Sequence, residues 1–192
     1  MSNSQWVTKL LSRLEPLAER ATWPRIAVMG VGNELQGDDS LGIHLARRLK
    51  PCASASERLL VLEAGACPEN FCGLLRRFKP DLILLVDAAR MGESPGSVRI
   101  LDVNSSANAG FSTHAPCLQM LVDYLEFELG CEILLLGVQA GRFSFEASLS
   151  PAVMESIASL AGQLEELLAP TLRERSFSWA ALNALSDMEF VR

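Results

Sequence analysis

The spacing of apolar positions changes repeatedly along the chain. The segments "RIAVMGV" (25–31), "LLVLEA" (59–64), "DLILLVDA" (81–88), "SVRILDV" (97–103) and "EILLLGVQ" (132–139) are short and dense in Val, Ile and Leu, and predict strands. Three of them are apolar nearly throughout, as strands covered on both faces must be. Between and around them the spacing lengthens to that of a helix. Trp6, Leu10, Leu14 and Leu17 share one face of 5–19, and Leu41, Leu45 and Leu49 share one face of 40–49. Val153, Ile157, Leu160, Leu164 and Leu167 repeat in the same way over 151–168. Helices are also expected at 69–78 and at 116–129 before Gly130, with Pro151 suited to a first turn and Pro170 to a stop.

This alternation predicts a single α/β domain, a twisted, mostly parallel β-sheet sandwiched between α-helices. The turn "MGESPG" (91–96) joins 81–88 to 97–103 and leaves open one antiparallel edge hairpin between them. The polar stretch "NSSANAGFSTHAP" (104–116) is a loop of the kind that carries function on a rigid scaffold. The expected organisation is a helical extension over 1–24, the domain proper over 25–168 and a tail over 169–192.

Composition narrows the function. A chain of 192 residues can bury one sizeable core. Its net charge is −6 and its basic residues are scattered, with only short pairs such as Arg47-Arg48 and Arg76-Arg77, so nucleic acid is not an expected partner. The longest apolar runs, such as "LILLV", are of strand length, and the N-terminal stretch lacks the continuous apolar core of a secretory leader. The expectation is a soluble cytoplasmic protein without membrane contact. Five cysteines, an odd number with no CxxC pair, suggest neither a disulfide framework nor a zinc site.

The candidate chemistry begins in "VMGVGNELQGDDSLGIHLARRL" (28–49). Gly30, Gly32 and Gly37 lie between a strand and a helix. A dinucleotide fingerprint would place its third glycine where Leu35 stands, and Asp38 and Asp39 sit where a pyrophosphate would dock, so charge argues against a nucleotide. Either aspartate can cap the following helix, and Asp38 is open between a cap and a general base. Asp87 ends an apolar strand, a costly place for a charge unless it has a purpose. Glu63 ends another, or simply leaves the sheet towards solvent. His44, near Arg47 and Arg48, reads as a solvated helix residue. His114 closes the polar loop just before a helix, and neutral imidazole is a common metal ligand. Cys117 stands three residues beyond it, which makes a thiol–imidazole pair the weaker option, and no G-x-S-x-G elbow is present.

Asp39, Asp87 and His114 all fall at strand-to-helix junctions, along the edge where parallel α/β folds gather their sites. Two carboxylates and one imidazole suit nickel, zinc or another divalent transition ion.

The ordered set "GVGNELQGDDSLG", "EAGACPEN", "LLVDAARMGESPGSVRILD", "STHAP" and "LLLGVQ" resembles the nickel-iron hydrogenase maturation endopeptidases, whose opening pattern is G-x-G-N-x-L-x-x-D-[DE]-x-x-G. The likeness covers roughly residues 25 to 168 and looks closest to the subgroup serving formate-hydrogenlyase-type hydrogenases. It implies a peptidase that removes a C-terminal extension from the hydrogenase large-subunit precursor after nickel insertion. It also implies that Asp39, Asp87 and His114 form the metal-binding and catalytic cluster, with nickel supplied by the precursor. Ser40 and the run Glu63-Ala64-Gly65 depart from the family's usual glycine and "DGG". A non-enzymatic metal-binding chaperone of the same large subunit is the alternative. Oligomeric state is not legible.

Overall fold

A computed structural model describes residues 4–18, 24–102 and 115–172. Five strands, β1 (Ile26–Val31), β2 (Leu59–Gly65), β3 (Leu82–Ala89), β4 (Val98–Leu101) and β5 (Glu132–Gln139), form one sheet in the order β2-β1-β3-β5-β4. The pairs β1–β2, β1–β3 and β3–β5 are parallel, and β4 runs antiparallel to β5. Every residue of β1 and β3 is buried, which is why those segments carry no polar alternation until Asp87.

Five helices cover the sheet: α1 (Ser4–Ala18), α2 (Leu41–Ala53), α3 (Cys72–Phe78), α4 (Ala115–Leu129) and α5 (Pro151–Leu172). On one face, Leu10 and Leu14 of α1, Leu41 and Leu45 of α2, and Val153, Ile157 and Leu164 of α5 pack against Val28, Leu84, Val86 and Leu136. On the other, Leu75 of α3 and Leu118, Val122 and Leu125 of α4 pack against Met29, Ile83, Leu85 and Leu135. Successive strand residues feed opposite cores, as the pleat requires. The predicted sandwich is therefore present, and α1 shares its core with α2 and α5.

Three expectations change. The antiparallel edge strand exists, but β4 pairs with β5 and not with β3, so no hairpin forms across 91–96. β5 is buried at every position but the first and takes the covered place beside β3, while β4, with Arg99 exposed, takes the edge. α2 runs on through Pro51, and α5 reaches Leu172, so Pro170 lies inside its last turn and does not stop it. A proline removes one helical hydrogen bond, and the packed apolar stripe of each helix outweighs that loss. Among the described residues no helix is long and apolar enough to cross a membrane.

Candidate active site

The connection leaving β1 passes through α2 on one face to reach β2, and the connection leaving β2 passes through α3 on the other face to reach β3. β1 and β3 are neighbours, so the crevice beyond their carboxyl ends is the topological switch point of the sheet. Asp39 and Asp87 lie there, contributed by the turn after β1 and by the end of β3.

A short 3-10 turn, Gly37–Ser40, delivers the acid pair. Its approach is tight. A Cβ on Gly32, whose φ is +139°, would sit 1.8 Å from the carbonyl oxygen of Asp39. A Cβ on Gly42, at the start of α2, would lie 2.4 Å from the carbonyl oxygens of both Val31 and Val86. α2 therefore begins directly against the ends of β1 and β3, and the turn before it touches β3. Gly30 serves the same contact, since a Cβ there would lie 2.0 Å from the Gly42 carbonyl oxygen, whereas Gly37 faces the loop after β5.

Asp39 is 5% exposed, and its Oδ2 accepts the N–H of Asn33 at 3.0 Å. Asp87 is 1% exposed, and its Oδ1 accepts the N–H of Ala88 at 2.9 Å. Strand alternation turns Asp87 towards the face covered by α3 and α4, in phase with Ile83, Leu85 and Ala89. Buried carboxylates are costly unless they hold a cation or a proton, and oxygen donors of this kind suit a divalent metal. Among the described residues no group of three or more His, Cys, Asp and Glu gathers as a metal cage. His114 lies outside the described residues, as does the side chain of Cys117; α4 begins at the residue after His114.

Asp38 is a different residue from its neighbour. It does not cap α2, and neither does Ser40, whose hydroxyl donates to the Gly37 carbonyl at 2.7 Å. Asp38 is fully buried and accepts from across the chain. Its Oδ2 takes the N–H groups of Gly141 and Arg142 and the Ser150 hydroxyl at 2.8, 2.9 and 2.9 Å, and its Oδ1 takes the Ser150 N–H at 2.6 Å. The 3-10 turn aims this carboxylate at the loop between β5 and α5, where those donors converge. Its oxygens are engaged in holding that loop.

Glu63 does not simply leave the sheet for solvent. It pairs with Lys50 and, at 2.7 Å, with Arg47, which also pairs with Glu34. Lys50 and then Arg47 hold the Glu63 carboxyl below its ordinary range. His44 is half-buried beside this network and not freely solvated; burial, reinforced by Arg47, lowers its pKa.

Gln139, the last residue of β5, is not among the residues singled out from the sequence. It is 9% exposed; its Oε1 accepts the N–H groups of Met91 and Glu93 at 2.7 and 3.2 Å, and its Nε2 donates to the Ala140 carbonyl at 2.8 Å. This amide folds the connection after β3 back over the sheet edge. The signal was available, since a polar residue ending an apolar strand is what drew attention to Asp87 and Glu63.

Known proteins share this fold. The family model for hydrogenase maturation protease matches residues 43–167. The hydrogenase 3 maturation protease of Escherichia coli is 33% identical over 137 residues, spanning 70% of this chain and 85% of its own. The crystal structure of a [NiFe] hydrogenase maturation protease, HycI, from Thermococcus kodakarensis superposes with a TM-score of 0.73 at 31% identity, covering 84% of this chain and 99% of that one. The solution structure of the endopeptidase HycI from Escherichia coli superposes with a TM-score of 0.63 at 28% identity, covering 73% and 89%. The chain belongs to the hydrogenase maturation protease family, and by that membership it is a peptidase.

Proposed function

We propose that this chain removes a C-terminal extension from the precursor of a nickel-iron hydrogenase large subunit, and does so once nickel has been inserted. The observation that carries this reading is the pair of buried carboxylates, Asp39 and Asp87, from segments distant in sequence, at the β1/β3 switch point of a peptidase fold. Nickel is part of the substrate in this scheme. Asp39, Asp87 and His114 recognise it there, the imidazole being assigned from the sequence resemblance. A divalent ion so held would orient the scissile segment, and polarisation of its carbonyl and activation of water are the two further chemistries open to such an ion.

The chain's own contribution is preorganisation. The Asn33 N–H orients Asp39, the Ala88 N–H orients Asp87, and the close seat of α2 on the strand ends fixes the turn that carries Asp39. The sequence resemblance to the subgroup serving formate-hydrogenlyase-type hydrogenases supports a large subunit of that type as the partner. Free thiols at Cys52, Cys67, Cys72 and Cys131 support a reducing compartment, the cytoplasm.

The test is cleavage of purified precursor, nickel-loaded and nickel-free, followed by mass spectrometry. Only the loaded form is expected to shorten, and folded Asp39→Ala and His114→Ala variants are expected to lose at least about a hundredfold in rate. Equal processing of both precursors, or full activity in those variants, would sink the nickel-recognition reading.

A further inference from the structure

Two large apolar side chains stand exposed on the loops joined by Asp38: Leu35, 54% exposed, on the loop that leads into Asp39, and Phe145, 67% exposed, between β5 and α5. They belong to loops far apart in sequence that are fastened together. The Leu35 carbonyl accepts the Glu146 N–H at 2.8 Å, and the Asp38 N–H donates to the Arg142 carbonyl at 3.2 Å. Glu146 holds a left-handed φ of +55°, an uncommon conformation for a residue with a side chain. Strain of this sort persists only where the surroundings enforce it, and it turns the chain at the residue after Phe145.

The first of these loops also holds Asp39. Asn33, whose N–H binds Asp39, also accepts the Leu35 N–H on its side-chain oxygen at 3.0 Å, so one short loop orients the carboxylate and presents the leucine. On the other loop, the Phe143 ring is covered by the guanidinium of Arg90 at 4.6 Å, and Arg90 directly follows β3, three residues after Asp87. The two fastened loops form one rim beside the turn that carries Asp39.

We infer that Leu35 and Phe145 form an apolar lip that seats a hydrophobic side chain of the precursor polypeptide next to the scissile bond. This rests on the reading of Asp39 and Asp87 as the cleavage site. The lip touches a side chain and not the reacting atoms, so the affinity it supplies is equal in the ground state and the transition state. It therefore acts on nickel-free precursor as well as on loaded precursor.

The experiment compares steady-state cleavage of nickel-loaded precursor, and binding of nickel-free precursor, by wild type and by Leu35→Ser/Phe145→Ser, Phe145→Leu, Phe127→Ser and Asp39→Asn variants, each checked for folding by thermal melting. Phe127 is 93% exposed on α4 and serves as an apolar control. The double variant is expected to raise KM about tenfold with kcat within about twofold of wild type, and to weaken binding of nickel-free precursor by a similar factor. Phe145→Leu is expected to restore most of the affinity, and Phe127→Ser to leave KM unchanged. A double variant with wild-type KM would overturn the lip, and so would a Phe127→Ser variant that reproduces its defect, since the precursor would then dock on α4. Full activity in Asp39→Asn would instead remove the cleavage-site reading, whichever way the KM comparison falls.

Discussion

Asp38 and Asp39 are adjacent in sequence and leave the same 3-10 turn in different directions. Asp39 stays with its own loop, bound to Asn33, whereas Asp38 reaches residues more than a hundred positions away. The candidate role of Asp39 was legible because a strand, a glycine turn and a helix start define a strand-end position locally. The role of Asp38 was not, because its donors come from another loop. Glu63 shows the same limit: a strand-end acid is visible in sequence, but its cations are chosen by the packing of α2 on β2. Its pKa is lowered on folding, chiefly by Lys50 and then Arg47, so the charged form is favoured in the folded chain. That stabilisation is complete above the ordinary carboxylate range and is lost as pH falls through the lowered folded value. The ammonium and guanidinium partners are largely exposed, so Glu63→Gln is expected to cost less than about 1 kcal/mol at neutral pH. Urea midpoints of variant and wild type should converge as pH falls through that lowered value.

At the scale of elements, helical spacing announced α1 and its inward face but not its destination. Leu10 and Leu14 are 1% and 2% exposed, in one core with α5 and with β3 and β5. Leu14→Ala is accordingly expected to cost about 3 kcal/mol, seen as a lower urea midpoint at unchanged slope. A variant within about 0.5 kcal/mol of wild type would mean that α1 is not part of the cooperative core. The fate of β4 makes a related point. A short turn favours a hairpin with β3, yet two strands compete for the flank of β3, and the one apolar on both faces wins. Gln139 then secures the connection that the hairpin would have made.

At the scale of the molecule, Asp38 is the fastener between the β1–α2 turn and the β5–α5 loop, and so between the halves of the proposed active-site rim. Asp38→Ala leaves the N–H groups of Gly141, Arg142 and Ser150 without their acceptor, and is expected to lower stability by about 3 kcal/mol in urea unfolding. A loss under about 0.5 kcal/mol would show that the loop holds itself. By itself the sequence determined the sandwich, the strands, the inward faces of the helices and the strand-end position of Asp39 and Asp87. Those properties follow from periodicity and from junctions a few residues long, which any local stretch of chain carries. Tertiary structure alone decided that β5 separates β3 from β4, that Asp38 latches a distant loop, and that Leu35 and Phe145 share one rim. Each of these is a choice among partners far apart in sequence, settled by which pairing buries more apolar surface and leaves fewer buried polar groups unsatisfied.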